Sequence, residues 1–201
     1  MDKRIAHLRR DPHLRKIIDR TKRSFLAPRA ARPNHFRSLV VAIVNQQLSG
    51  KAADTIFKRF VALFPRGKFP TPQQVVAMPP ARMRKCGLSK MKVSFLKDLA
   101  RKVLDGTVDF RKMKKWTDEE VIEHLVRVKG IGRWTAEMFL MFSLDRPDVF
   151  SYGDLGLRNA IQRAYGLRRH PTPKQAAKLA AAWSPHRTLA SRYLWASLDV
   201  E

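Results

Sequence analysis

Apolar residues along this chain recur at intervals of three and four. Phe36, Leu39, Val40, Ile43 and Val44 make one such stripe, and Ala53, Ile56, Phe57, Phe60, Val61 and Phe64 make the next. That spacing places side chains on one face of an α-helix, and no stretch shows the period of two that a half-buried strand needs. The punctuation agrees with the periodicity. Asp11-Pro12, Thr71-Pro72 and Thr172-Pro173 each set a capping side chain before a first-turn proline, Ser49 and Ser89 precede periodic runs, and Thr117 with Glu120 reads as a capping box. Gly87 and Gly106 read as helix stops. The pattern predicts about ten helices joined by short turns such as Phe64-Pro65-Arg66-Gly67 and Met78-Pro79-Pro80. No linker is long or polar enough to separate independent domains, so residues 1–201 are expected to form one compact all-α unit.

A chain of 201 residues, 44% of them hydrophobic, can bury a core without staples. Charge changes the picture more than size does. The chain carries 41 Lys and Arg against 17 Asp and Glu, a formal +24. A folded polycation of this kind repels itself unless a polyanion is its partner, which points to nucleic acid or an acidic membrane surface. The excess is uneven: residues 1–40 and 81–115 each hold 12 bases and 3 acids, whereas residues 116–201 hold 12 and 10. A single cysteine, Cys86, excludes an internal disulfide, a four-cysteine iron–sulfur cluster and a thiolate zinc site. The six histidines show no metal-ligand spacing. Met1 to Leu8 lack an apolar signal region, no stretch approaches eighteen apolar residues, and there is no strongly amphipathic basic anchor. The expectation is a soluble intracellular protein with no membrane partner, in the cytoplasm or nucleoid of a prokaryote or the nucleus of a eukaryote.

Chemistry concentrates near residue 130. Val126-Arg127-Val128-Lys129-Gly130-Ile131-Gly132-Arg133-Trp134-Thr135-Ala136 follows an amphipathic helix that begins at Thr117 and precedes another ending near Leu144. Two glycines around Ile131 let the backbone turn tightly and approach a phosphate, with the positive end of the second helix behind them. Such a hairpin, spanning about 117–144, grips a DNA backbone without reading sequence. By spacing alone it is equally an ordinary helical corner.

The surrounding residues carry a resemblance. Gly130-Ile131-Gly132-Arg133-Trp134-Thr135-Ala136-Glu137-Met138-Phe139, followed by Asp148-Val149-Phe150-Ser151-Tyr152-Gly153-Asp154-Leu155-Gly156-Leu157-Arg158, resembles the helix-hairpin-helix glycosylases with a Gly/Pro-rich loop and an aspartate, specifically the DNA-3-methyladenine glycosylase II group. Ile43-Val44-Asn45-Gln46-Gln47-Leu48-Ser49-Gly50-Lys51-Ala52-Ala53, Cys86-Gly87-Leu88-Ser89-Lys90-Met91-Lys92 and Trp183-Ser184-Pro185-His186-Arg187 match further family segments in order, over roughly residues 5 to 198. The resemblance implies a single catalytic glycosylase unit, two interwoven helical lobes with a DNA cleft between them, and Asp154 at the mouth of that cleft.

It also implies a mechanism. Methylation at a ring nitrogen already makes a purine a cationic leaving group, so the developing charge on the sugar is what needs a fixed carboxylate. The resemblance puts that role on Asp154, although the same residue stands where it would cap the helix bearing Leu155, Ala160, Ile161 and Ala164. A cationic base stacks well on aromatic faces. Trp134 and Trp183 are the matched positions, for each of which a core role is the alternative, and Met138 stands where some relatives carry a ring. Base extrusion leaves a gap for a wedge, by resemblance Gln47 or Leu48 beside Ser49. Gly87, Leu88 and Ser89 resemble a second minor-groove loop next to the basic residue Lys92. With Gly130, Ile131, Gly132, Arg133 and Thr135 of the hairpin, these are the expected DNA contacts. The carbonyls of Val126, Val128 and Ile131 are the implied ligands of a structural Na⁺ or K⁺, with no cofactor in catalysis.

The reading that follows is a monomeric, monofunctional glycosylase that flips and excises alkylated purines of the 3-methyladenine type from double-stranded DNA in base excision repair. Lyase members of the superfamily carry a nucleophilic lysine after Gly-x-Gly-Arg, where this chain has Trp134. The rivals are a bifunctional glycosylase/lyase and a non-catalytic helix-hairpin-helix DNA-binding module.

Overall fold

The computed structural model of the chain describes residues 2–21 and 34–198. Among them are twelve α-helices and no strand: α1 Lys3–Leu8, α2 Pro12–Arg20, α3 His35–Asn45, α4 Gly50–Ala62, α5 Pro72–Ala77, α6 Pro80–Lys85, α7 Lys90–Leu104, α8 Asp118–Leu125, α9 Arg133–Phe142, α10 Leu155–Tyr165, α11 Pro173–Ala181 and α12 Arg187–Ala196. The surplus over the ten expected lies in helices of six residues, such as α1, α5 and α6. Part of the first basic block, residues 22–33, lies outside the described residues. None of the described helices is long and apolar enough to cross a membrane.

Local chemistry sets the helix ends. Asp11, Thr71 and Thr172 are N-caps whose side chains accept backbone N–H groups, each followed by a proline in the first turn. Thr117 and Glu120 form a reciprocal capping box at α8, and Ser89 caps α7 by accepting the Lys92 N–H at 3.2 Å. Gly87 and Gly106 follow the ends of α6 and α7 with φ of +104° and +81°, as helix stops do. The second hairpin helix stops at Phe142, two residues short of the expected Leu144.

The chain divides into two compact units, Met1–Ala31 with Leu140–Glu201 (unit one), and Arg32–Phe139 (unit two). The boundary falls inside α9. A division made in mid-helix, with one unit drawn from two separated segments, leaves no linker in the sequence to mark it.

Unit two is built on the predicted α3 stripe. Leu39, Val40, Ile43 and Val44 are fully buried, and α3 packs against α4 and α7. On α4 only Ala53 and Phe60 of the predicted face are buried; Phe57 stays partly exposed and stacks on Phe69, with the Arg37 guanidinium over both rings at 5.6 and 5.7 Å.

In unit one α2, α10 and α12 pack together around Leu14, Leu157, Ala160, Ile161 and Tyr193. Asp11 ties the cap of α2 into this core. Its Oδ1 accepts the His13 and Leu14 N–H groups, and its Oδ2 accepts Trp183 Nε1–H at 2.9 Å and the Tyr165 hydroxyl. Asp148 pairs with Arg187 at 2.8 Å and accepts Ser184 Oγ–H at 2.8 Å. Burial works to raise both carboxyls, but these bonds outweigh it and hold each below the ordinary value of 3.8. A depressed carboxylate contributes stability above its unfolded pKa and loses it as pH falls through the folded one. Thermal melts are therefore expected to be level between about pH 7 and 5 and to fall below about pH 4, with a shallower fall in Asp11→Asn. Equal acid sensitivity of the variant and the parent would contradict this account of Asp11.

Candidate functional site

In unit two the hairpin turn occupies residues 126–132 between α8 and α9. Gly130 sits at φ +81°, and a Cβ there would lie 2.2 Å from Cδ2 of Phe95, so both backbone and space demand glycine. Gly132 has no left-handed φ, and a Cβ there would meet nothing within 4 Å. Ile131 donates its N–H to Val128 O at 3.0 Å and buries its side chain, which pins the turn from inside. From α7, Asp98 accepts the Lys129 N–H and the Lys102 ammonium, both at 2.8 Å, while Lys102 also donates to Arg127 O at 2.5 Å. Burial works to raise the Asp98 carboxyl, but the Lys102 and Lys129 bonds prevail and hold it below the ordinary aspartate value. The first N–H groups of α9 have no acceptor within their helix, and at the positive end of its dipole they suit a phosphate oxygen.

Beside the hairpin lies a cavity of about 590 Å³, a size suited to a small ligand. Trp134, Thr135 and Met138 line it from α9, Lys92 and Phe95 from α7, and Gln46 and Gln47 from the loop after α3. Trp134 is 51% exposed and is therefore a wall of this cavity, not a core residue. Thr135 is buried against the same space. Gln47 is exposed and held at φ +55°, a conformation that a residue with a side chain adopts at a cost. Leu48 is 37% exposed, and Ser49 is exposed at the N-cap position of α4.

Three of the expected DNA contacts have roles within the protein itself. The Arg133 guanidinium is bidentate to Glu119 at 2.7 and 2.8 Å and reaches Glu137 at 3.1 Å, so it braces α9 on α8. Hydrogen bonding to Glu119 raises its pKa further still. Leu88 is 3% exposed, packed inward, which leaves Gly87 and Ser89 to form the surface of that loop. Lys92 donates its ammonium to Val44 O at 2.7 Å and Gln46 O at 2.8 Å, and burial pulls its pKa below the ordinary lysine value.

Unit one holds Asp154. It is 8% exposed and caps α10: Oδ1 accepts the Leu157 N–H at 2.7 Å and the indole Nε1–H of Trp195 at 2.9 Å. The capping role is thus real, and it fixes the carboxylate with two N–H donors. Gly156 makes room for this arrangement, since a Cβ there would lie 3.1 Å from Asp154 Oδ1 and from the Trp195 ring. Asp148, through Arg187 and Ser184, anchors the loop that leads to Asp154.

Trp183 is corrected. It is 0% exposed, its Nε1–H is bound to Asp11, and it packs edge-on to Phe150, so it offers no face for stacking. The indole beside Asp154 is Trp195, which the sequence did not single out. It sits near the end of α12 without a motif around it, and only the fold brings it across 41 positions. Phe95, Asp98 and Gln46 were missed for the same reason. Among the described residues no three His, Cys, Asp or Glu side chains are grouped to hold a metal ion.

Comparison with known proteins places this geometry. The DNA-3-methyladenine glycosylase 1 of Schizosaccharomyces pombe is 40% identical over 161 residues, which cover 80% of this chain and 71% of that protein. A solved structure of Schizosaccharomyces pombe 3-methyladenine DNA glycosylase in complex with abasic DNA superposes with a TM-score of 0.83 at 34% identity, covering 98% of this chain and 97% of that one. A DNA-3-methyladenine glycosidase from Bacillus halodurans gives a TM-score of 0.82 at 35% identity, over 96% and 88% of the two chains. The model of the helix-hairpin-helix Gly/Pro-Asp (HhH-GPD) superfamily of base excision DNA repair proteins matches residues 40–186, a stretch that holds the loop after α3, the hairpin and Asp154. The chain belongs to this superfamily of base excision DNA repair proteins.

Proposed function

We propose that this chain is a monofunctional glycosylase that excises alkylated purines of the 3-methyladenine type from double-stranded DNA by hydrolysing the N-glycosidic bond, as a monomer inside the cell. The observation that carries this reading is the buried Asp154 carboxylate, oriented by Leu157 N–H and Trp195 Nε1–H. A carboxylate so fixed stabilises positive charge developing on the sugar and needs no reorganisation as the bond breaks. The exposed indole of Trp134 and the sulfur of Met138 offer a cationic base a polarisable wall. The names of the relatives, 3-methyladenine glycosylases, support the substrate class.

Amine chemistry is absent from this reading. Trp134 follows Gly130-Ile131-Gly132-Arg133, and its indole nitrogen has no lone pair available to attack a sugar carbon. Water is the nucleophile, and the product is an intact strand with an abasic site. Carbonyl oxygens such as those of Val126, Val128 and Ile131 are hard, neutral donors of the kind a monovalent cation takes, and Ile131 N–H to Val128 O shows the turn already closed on itself. An ion held there would stiffen the hairpin and take no part in bond cleavage.

The test is base release from duplexes that each carry one defined lesion, in paired reactions: one with sodium borohydride to trap any covalent adduct, and one without it, treated afterwards with alkali. Free 3-methyladenine, no covalent adduct, and strand breakage only after alkali are expected. An adduct abolished by changing one lysine would establish the lyase reading, and duplex binding without release of any base would establish the non-catalytic one.

A further inference from the structure

The loop that carries Gln47 is tied down immediately before that residue, from two different elements. The Lys92 ammonium donates to Val44 O at 2.7 Å and to Gln46 O at 2.8 Å, capping the end of α3 and fixing the peptide that leads into Gln47. The Gln46 side chain donates Nε2–H to Gly130 O at 2.7 Å, in the hairpin turn 84 positions away. Gly130 has no room for a side chain, because its φ is +81° and Phe95 fills the space where a Cβ would go. The same helix that supplies Lys92 supplies Asp98, which holds the Lys129 N–H beside Gly130. Gln47 itself is kept at φ +55°, and a left-handed residue with a side chain persists only where its surroundings over-determine it.

We propose that Lys92 and Gln46 are positioning residues for base extrusion: they lock the Gln47 loop to the phosphate-gripping hairpin, so that engaging the backbone and presenting the wedge are one rigid event. This rests on the glycosylase reading of the hairpin and the loop. Lys92 directs two of its three N–H donors at protein carbonyls, which fixes its ammonium against the loop. Gln46 transmits position through a single hydrogen bond whose removal leaves the hairpin's own bonds, from Asp98 and within the turn, intact. The two ties act on one loop, so their loss is expected to be less than additive.

Three measurements on the full chain test this. With a 2-aminopurine reporter beside the lesion, Lys92→Met and Gln46→Ala are each expected to slow extrusion by about tenfold, as loss of a buried hydrogen bond permits. Lys92→Arg, which keeps donors for the two carbonyls, is expected to recover part of the rate. Affinity for undamaged duplex, and its slope against salt, are expected to stay at the parent values. If Lys92 were a phosphate contact, Lys92→Met would lower that slope by about one and weaken damaged and undamaged duplex alike, and that result overturns the proposal. Unchanged extrusion in Gln46→Ala overturns it as well. In the absence of DNA, amide hydrogen exchange over residues 45–49 is expected to quicken in Lys92→Met and Gln46→Ala, and unaltered exchange there overturns the locking role even if the protein releases no base. A parent protein that extrudes the reporter base but releases none refutes the glycosylase reading and leaves the positioning role standing.

Discussion

Asp154→Asn is expected to lower single-turnover base excision by at least about 100-fold while affinity for undamaged duplex stays within about threefold. The substitution separates two roles that the structure combines. An asparagine Oδ1 still accepts the Leu157 and Trp195 N–H groups that now bind the carboxylate at 2.7 and 2.9 Å, and asparagine is as good an N-cap as aspartate. Geometry and helix stability therefore persist, and only the negative charge goes. What remains is binding without the electrostatic term that lowers the transition state. Excision at the parent rate would take Asp154 out of the chemistry. Trp195→Phe is a graded companion, since it keeps the ring and deletes one donor, and its loss is expected to be smaller than that of Asp154→Asn.

The second large effect concerns stability. Gly130→Ala is expected to cost about 2–4 kcal/mol, because a Cβ would overlap Phe95 and because φ +81° is strained for any residue with a side chain. The Phe95 ring also lines the cavity and cannot withdraw without opening it. Gly132→Ala, where a Cβ meets nothing within 4 Å, is expected to change stability by no more than about 1 kcal/mol. Denaturant unfolding of the two variants checks the difference, and equal losses would refute it. The two glycines look equivalent in the sequence, as a symmetric pair around Ile131. The asymmetry between them comes from α7, which reaches the hairpin on one side only.

That contrast marks what the sequence could tell. Caps such as Asp11, Thr71, Thr117 and Thr172 were legible because the donor and acceptor lie within three residues of one another. The helical stripes, the hairpin and Asp154 were legible through periodicity and an ordered set of motifs. Roles that depend on a distant partner were not. Lys92 and Arg133 read as DNA contacts, yet Lys92 donates to the carbonyls of Val44 and Gln46 and Arg133 pairs with Glu119 and Glu137. Trp183 and Trp195 are residues of one type twelve positions apart, and nothing local says which one lies against Asp11 and which against Asp154. Leu88, between a glycine and a serine, looks like a surface loop residue until the fold turns it inward.

The division of the chain has a consequence during synthesis. Unit two is contiguous, from Arg32 to Phe139, whereas unit one needs Met1–Ala31 together with Leu140–Glu201. On a translating ribosome the hydrophobic faces of α1 and α2 emerge before α10 and α12, the helices that α2 packs against. Leu14 and Ile18 are covered only once α10 and α12 exist. At about 5–20 residues per second the wait from the end of α2 to the end of α12 is on the order of 9–35 s. Every segment of unit two, hairpin and cavity lining included, is synthesised before the segment bearing Asp154. Until then the apolar faces of α1 and α2 lack the cover they have in the finished fold, and such surface is where a nascent chain is open to aggregation.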